Sequence, residues 1–354
     1  MTPPFSDHDV VPWTPHAVPT VGAYCTICRW TGPGYGSGPH PEGNHCPGCG
    51  SIARERFLHR AWVENWAPME WAEVIETSPR LGTRYRDLMV RRLRYRGSDY
   101  DRRAHQADVR IDLQAIDLPD NSLDVLLTSH VLEHVPDTCT ALSEIHRVLA
   151  PGGVAVIQVP LVEPRTIPPS TPEFHGDDTP VFWRFGWDLG DLLASVGFEV
   201  DVNVTESWAH TLETGTWSGP TTPEVDLGPI IEAGRDVSVK TIVPREHEST
   251  MGFEAGYGLV TWTAKVPGIA TPRCAPSLAE LQTLRRRRRR RDLITRLNGH
   301  PLDVSVDIAD SVEPSMTWGA AFVPVYEKFK QSLGPVRPVL RKVRRVVRAP
   351  FSGR

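Results

Sequence analysis

The clearest pattern of apolar and polar positions lies in the middle of the chain. Val125, Leu126 and Leu127, flanked by Asp124 and Thr128, form a short apolar run that reads as a strand buried on both faces. Asp120, Asn121 and Ser122 ahead of it are turn formers. Beyond it, Ala141, Leu142, Ile145, Val148 and Leu149 recur at the spacing of one helix face. Pro151, Gly152 and Gly153 are expected to stop that helix, and residues 154–159 read as the next buried strand. Strand, helix and strand predict a βαβ unit with a right-handed crossover. Ligands of such sheets sit beyond the carboxyl ends of the strands. Position alone therefore singles out Ser129, His130, Val159 and Pro160.

The same reading extends outward. Residues 57–66 carry Leu58, Ala61, Trp62 and Trp66 at helical spacing. Residues 71–76 read as a first strand, 77–82 as the turn into a helix, 93–95 as a second strand with its exit at 96–99, and 109–113 as a third. Residues 161–182 form a Pro-rich loop longer than a plain connection needs, which suits a lid or a substrate wall. A helix at 189–196, stopped by Gly197, leads to an alternating strand at 198–204. A last strand is expected at 258–265, and the long interval 205–257 is expected to shape substrate specificity.

Composition fits a folded protein with long loops: of 354 residues 40% are hydrophobic, with 33 Pro and 28 Gly. No apolar run approaches the ~18 residues of a membrane-spanning helix, and residues 1–10 do not look like a secretory signal. The expected compartment is the cytoplasm. The net charge of −4 hides an asymmetry. Residues 271–354 hold 18 Lys/Arg against 7 Asp/Glu, and the 270 residues before them hold 21 against 36. An acidic body argues against a wide nucleic-acid surface. The tail contains seven consecutive arginines at 285–291, and Val336, Leu340, Val343 and Val347 at helical spacing among basic residues. Such a helix can lie on an anionic membrane surface at the inner face, bind RNA, or remain a solvated tail.

Cys25 and Cys28 form one CxxC, Cys46 and Cys49 another, seventeen residues on. Two such pairs read as a four-thiolate Zn2+ site, each tight turn aiming two sulfurs at one metal. The Gly- and Pro-rich linker cannot build its own core, so the metal would hold this segment together. Two disulfides or redox thiols are the alternatives, and neither has a supporting context in a chain read as cytoplasmic. A closed set of four thiolates leaves no position for water or substrate, so the metal is read as structural. Cys139 and Cys274 stand alone.

The run LPDNSLDVLLTSHVLEHVPD, followed by EIHRVLAPGG, resembles the second half of the class I S-adenosylmethionine-dependent methyltransferases, and is most similar to their broad small-molecule group. The resemblance covers about residues 70–200. The phrase CPGCGSIARER is similar to a zinc ribbon that precedes the methyltransferase domain in one subgroup. The resemblance implies an α/β, doubly wound, mostly parallel seven-stranded Rossmann-like sheet whose last strand is antiparallel and inserted. It divides the chain into a flexible arm at 1–20, a zinc ribbon at 21–56, the methyltransferase domain at 57–268 and a basic tail at 269–354.

It also implies S-adenosyl-L-methionine as cofactor. Where the family reads acidic-x-Gly-x-Gly-x-Gly, this chain has Glu76, Ser78, Arg80 and Gly82, so two of three glycines are replaced. Ser78 is small enough to stand in; Arg80 carries a long side chain where close backbone approach is wanted. The implied cofactor residues are Glu76, Thr77, Ser78, Gly82, Asp99, Asp112, Leu113, Ser129 and His130. Asp99, 23 residues beyond Glu76, stands where an acidic side chain accepts from ribose hydroxyls, with Asp101 as the alternative or a solvated loop aspartate as the plain reading. Asp112 and Leu113 would bracket the adenine.

The function implied is methyl transfer to a small-molecule or glycan acceptor. A non-catalytic binding or scaffold protein with a degenerate cofactor loop, and an RNA methyltransferase using ribbon and tail, are the alternatives. His130, His134 and His175 are candidate bases, and none is assigned, because many such transfers need no strong base. Arg54 and Arg56 are read as surface residues at the module junction, with reach toward an anionic substrate.

Overall fold

The computed structural model describes residues 22–36, 45–66, 70–79, 83–91, 93–101, 107–175, 179–217, 225–253 and 259–273, together with Ser277 and Ala279. The arm at 1–20, Arg80, Gly82, Cys274, the arginine run and the basic helix of the tail lie outside the described residues.

The elements follow in order as β1 (Ala23–Tyr24), β2 (Thr31–Gly32), α1 (Ala53–Asn65), β3 (Glu73–Thr77), α2 (Thr83–Val90), β4 (Arg94–Asp99), β5 (Val109–Arg110) and β6 (Leu123–Ser129). A one-turn 3-10 helix (Leu132–His134), α3 (Thr138–Val148), β7 (Leu149–Gln158), β8 (Glu173–Phe174), β9 (Pro180–Val181), α4 (Leu189–Ser195) and β10 (Glu199–Thr205) come next. α5 (Glu206–Thr214), α6 (Leu227–Gly234), β11 (Val239–Val243), α7 (Arg245–Met251) and β12 (Thr261–Lys265) complete the set.

One sheet takes the order β11-β10-β12-β7-β6-β3-β4-β5. β12 is antiparallel to both neighbours, and every other pair in the sheet is parallel. The inserted antiparallel strand is therefore where it was expected. Among the described residues the sheet has eight strands and not seven, because β11 forms from the long interval after β10 and pairs with its outer edge.

Side chains alternate between the two faces with the period of a strand. On β6, Leu126 joins a cluster with Leu142, Ile145 and Trp187, while Val125 and Leu127 join another with Phe57, Trp62 and Met89. The first face is covered by α3, α4, α5 and α6, the second by α1, α2 and α7, a doubly wound arrangement. Among the described residues no helix is long and apolar enough to cross a membrane.

Three local expectations shift. α3 ends at Val148, and Leu149 is already extended and paired with Leu123. Pro151, Gly152 and Gly153 thus lie inside β7, where the register shifts between Leu123 and Val125. Gly152 holds φ +76, and a Cβ there would stand 2.2 Å from the Ala270 backbone nitrogen, so the irregularity requires glycine. β4 runs on through the expected exit to Asp99, because Gly97 leaves room for Pro79, 3.0 Å from where its Cβ would be. The third strand is only Val109–Arg110, after which Asp112 turns back to bridge Ala115.

Candidate functional site

Four neighbouring parallel strands bring their carboxyl ends to one edge: β3 at Thr77, β4 at Asp99, β5 just before Asp112, and β6 at Ser129. The described residues predicted for the cofactor thus share that edge, as a parallel sheet dictates. Thr77 pairs across to Ser98 and Thr128, and its hydroxyl donates to Thr128 Oγ1 at 2.8 Å.

A cleft opens there between Glu76, Thr77, Ser78, Pro79, Leu127 and Ser129 on one side and Arg54, Glu55, Leu58 and His59 of α1 on the other, with Tyr85 from α2. The loop after β3 bends at Ser78, whose φ of +45 is the left-handed conformation. Its N–H donates to the Ser98 carbonyl at 2.7 Å. Serine thus takes a backbone shape that glycine adopts more readily. His130 is also left-handed at φ +53, with its N–H on the Gln158 carbonyl at 2.8 Å.

Glu76 is buried, and its Oε2 accepts from the Tyr95 and Tyr85 hydroxyls at 2.7 and 2.9 Å. Burial raises its pKa, and the two tyrosine bonds oppose the rise. This carboxylate braces β3 against β4 and α2 as well as lining the cleft. Asp99 Oδ1 accepts from the Asp101 N–H at 3.0 Å, and Asp112 Oδ1 from that of Gln114 at 2.9 Å. Asp101 therefore supports Asp99 with its backbone. Leu113 is buried in the core beneath β5.

The α1 wall was not foreseen. Glu55, His59 and Tyr85 carry no distinctive signal in the sequence, and Arg54 reads there as a surface residue with reach toward an anionic substrate. In fact Arg54 and Arg56 are 7% and 0% exposed. Arg56 turns from the cleft: it donates to the carbonyls of Ser51 at 2.6 Å and Met251 at 3.0 Å, and its guanidinium lies 4.1 Å over the Tyr35 ring. Arg54 faces the cleft, with Nη1 3.0 Å from His130 Nδ1. Glu55 accepts from the Ile52 N–H at 2.8 Å, closing back on the start of α1, and burial pushes its pKa up to about 7. Burial pushes His59 down to about 4, so it is neutral at pH 7.

The Pro-rich loop folds back on the turn after β6. Phe182 and Trp183 donate their N–H groups to the Glu133 carbonyl at 2.8 and 3.3 Å, and His134 Nδ1 meets the Pro180 carbonyl at 2.7 Å. His175 rests edge-on against His134, ring centroids 4.7 Å apart. The three candidate histidines thus split: His130 stands with Arg54, while His134 and His175 hold the loop.

The four ribbon cysteines are buried, with all four sulfurs within 4.8 Å of one another. Cys25 and Cys49 are 3.7 Å apart, Cys28 and Cys46 3.6 Å. Those spacings are far beyond a disulfide bond of about 2.05 Å. They match the edges, about 3.8 Å, of a tetrahedron with ~2.3 Å metal–sulfur bonds. The two CxxC turns repeat one hydrogen-bond pattern. Cys25 N–H donates to Trp30 O and accepts Arg29 N–H at its carbonyl; Cys46 does the same with Ser51 and Gly50. The residue after each second cysteine is left-handed, Arg29 at φ +57 and Gly50 at φ +82. The Gly48 N–H and the Ser51 hydroxyl lie 3.3 and 3.2 Å from the sulfurs of Cys46 and Cys49, contacts that fix where those sulfurs point.

Residues 82–157 match the family model described as a methyltransferase domain. A probable S-adenosylmethionine-dependent methyltransferase of Mycolicibacterium smegmatis is 34% identical over 152 residues, 39% of this chain and 53% of that protein. The chain thus spans about half the length of this relative. Among solved structures, 1,6-didemethyltoxoflavin-N1-methyltransferase of Burkholderia thailandensis, with S-adenosylhomocysteine bound, is 16% identical at a TM-score of 0.35, covering 61% of this chain and 78% of its own. A methyltransferase in complex with the Trm112 activator of Haloferax volcanii is 16% identical at 0.36, covering 60% and 92%.

Proposed function

Since the chain carries a methyltransferase domain of the class I, S-adenosylmethionine-dependent kind, we propose that the protein transfers a methyl group from S-adenosyl-L-methionine to a small-molecule or glycan acceptor. The observation that carries the reading is the cleft at the carboxyl ends of β3 and β6, with its left-handed loop at Ser78, on the edge that the ends of β4 and β5 share. Bound there, the cofactor supplies a sulfonium-activated methyl whose carbon–sulfur bond breaks as an acceptor lone pair bonds to it, the bonding pair passing to sulfur.

The chain's task is to align and to exclude water. Glu76 to Ser78 would hold the cofactor at the loop after β3, Asp99 would accept from the ribose hydroxyls, and Asp112 with Leu113 would hold the adenine. The acceptor reaches the methyl past Ser129 and His130, under the wall formed by residues 161–175 and 179–188. That wall is tied to itself by Arg184 on Glu173 and Glu163 at 2.9 and 3.1 Å, and by Thr166 on Asp188 at 2.7 Å. The acidic balance of residues 1–270 supports a small acceptor over a polyanion. The four cysteines hold one structural Zn2+.

Titration calorimetry with S-adenosylhomocysteine, and transfer of labelled methyl to cell-extract small molecules, test the reading. Binding with a labelled low-mass product supports it. Absence of binding removes the cofactor assignment, and binding without any labelled product favours a non-catalytic binding protein.

A further inference from the structure

We infer that Glu55 is the catalytic base of the cleft and takes the proton of an acceptor that is methylated at an O–H or N–H. The inference rests on the transfer proposed above. It adds the chemical class of the acceptor atom and the group that receives its proton.

Place comes first. Glu55 lines the α1 wall of the cleft, across from Ser78 and from Ser129, past which the acceptor enters. It lies in the first turn of α1, where the helix dipole favours the anion that a base must be at rest. Its Oε2 accepts from the Ile52 N–H at 2.8 Å, which pins the carboxylate. Oε1 has no bond among the described residues and is left for the cleft that the side chain lines. One oxygen tied to the backbone and one open to a ligand is a geometry suited to proton transfer.

The other titratable groups nearby are committed elsewhere. Glu76 Oε2 accepts from Tyr85 and Tyr95, and burial holds the Tyr85 phenol protonated. Burial leaves His59 at about 4, a weak base. His130 Nδ1 meets the Arg54 guanidinium, which can only donate, so that lone pair is taken. His134 and His175 hold the Pro-rich loop.

The charges around Glu55 then suit the role. Burial raises its pKa, the Ile52 N–H and Arg54 lower it, Glu76 raises it and Arg56 lowers it. The balance, about 7, is where a base works best near neutral pH. An O–H or N–H turns acidic as its heteroatom bonds to carbon. That bond to hydrogen breaks with its electron pair left on the heteroatom, and the proton passes to Glu55. The neutral acid then ionises again to solvent. An acceptor without such a proton, a thioether or a tertiary amine, has no use for this group.

Infrared difference spectra, labelled-methyl transfer and calorimetry on the metal-loaded full chain, wild type against Glu55→Gln, test the base. Wild type should show a carboxylic acid band, absent from the variant, that titrates away with a midpoint near pH 7. Labelling of the low-mass extract fraction at limiting acceptor should rise with pH through the same midpoint. In Glu55→Gln it should fall about 10²- to 10⁴-fold and lose its pH step. S-adenosylhomocysteine should still bind the variant within about threefold of wild type, showing an intact cleft. Full labelling by the variant, or no acid band in wild type, overturns the base and leaves the cofactor reading in place. An equal loss of S-adenosylhomocysteine binding in the variant also overturns it, since Glu55 would then serve binding. A wild type that binds S-adenosylhomocysteine but labels nothing removes transfer and base together. If wild type does not bind it, the cofactor reading falls as well.

Discussion

Arg56 reaches from α1 to Met251, 195 residues further along the chain, donating through Nε to its carbonyl at 3.0 Å. The same guanidinium donates to Ser51 and covers Tyr35, so one buried cation joins the ribbon, α1 and α7. Replacing Arg56 by Met keeps much of the apolar stem but removes both donors and the ring contact. The expected loss is about 2–4 kcal/mol, measured as a lowered urea midpoint at unchanged slope. Arg56→Lys should not restore it, because an ammonium cannot span two carbonyls and a ring. A loss under about 0.5 kcal/mol for the Met variant would contradict the clamp.

The ribbon shares its core with one sheet face. Cys25, Cys28, Cys46 and Cys49 belong to the same buried cluster as Val74, Val125 and Leu127. Metal analysis of protein purified without chelator should give near one zinc per chain. Removing it, or replacing Cys46 by Ser, should speed hydrogen exchange in α1 and weaken S-adenosylhomocysteine binding, because α1 begins four residues after Cys49 and forms a cleft wall. Exchange in α3, on the opposite face, should change least. Equal exchange in α1 with and without metal would show that the ribbon is an independent appendage.

These couplings mark how far the sequence could be read. The apolar run at Val125–Leu127 and the helical spacing from Ala141 to Val148 each carry one period, and β6 and α3 form there. The paired CxxC motifs also speak locally, since each turn is closed by bonds among six neighbouring residues. What stayed hidden depends on contacts between distant segments. β11 pairs with the outer edge of β10, and although the β-branched run VKTIV suits a strand, nothing local in it says which strand it joins. Arg54 and Arg56 sit two residues apart in one arginine-rich phrase, yet helical geometry turns one to the cleft and the other to Met251. Burial of both was invisible because the partners that cover them lie up to 195 residues away.

Glu55 gives a pH signature of known sign. Its folded-state pKa is raised by burial from 4.5 to about 7. Between those values the folded chain holds a proton that the unfolded chain has released, so this group's contribution falls as pH rises through that window. Glu55→Gln keeps an acceptor for the Ile52 N–H and removes the titration. The variant should gain stability relative to wild type on going from pH 5 to pH 8, by at most roughly 3 kcal/mol. Urea unfolding of both proteins at the two pH values gives the difference directly. A difference that does not move with pH would place Glu55 in contact with solvent.

Ser78 tests the loop itself. At φ +45 a serine bears left-handed strain of about 1–2 kcal/mol, while glycine costs about 0.5–1 kcal/mol more entropy on ordering. The two nearly offset, so Ser78→Gly should leave stability within about 1 kcal/mol of wild type and leave S-adenosylhomocysteine affinity undiminished. Ser78→Val has no such compensation: a β-branched side chain is a true outlier at positive φ and would crowd the cleft floor. It should cost about 1–2 kcal/mol in urea unfolding and weaken S-adenosylhomocysteine at least tenfold by calorimetry. The paired outcome is the informative one, because glycine and valine separate backbone shape from side-chain chemistry. If Ser78→Gly lost binding as Ser78→Val does, the hydroxyl itself would be contacting the ligand, and serine's ability to imitate glycine would not be why it stands there.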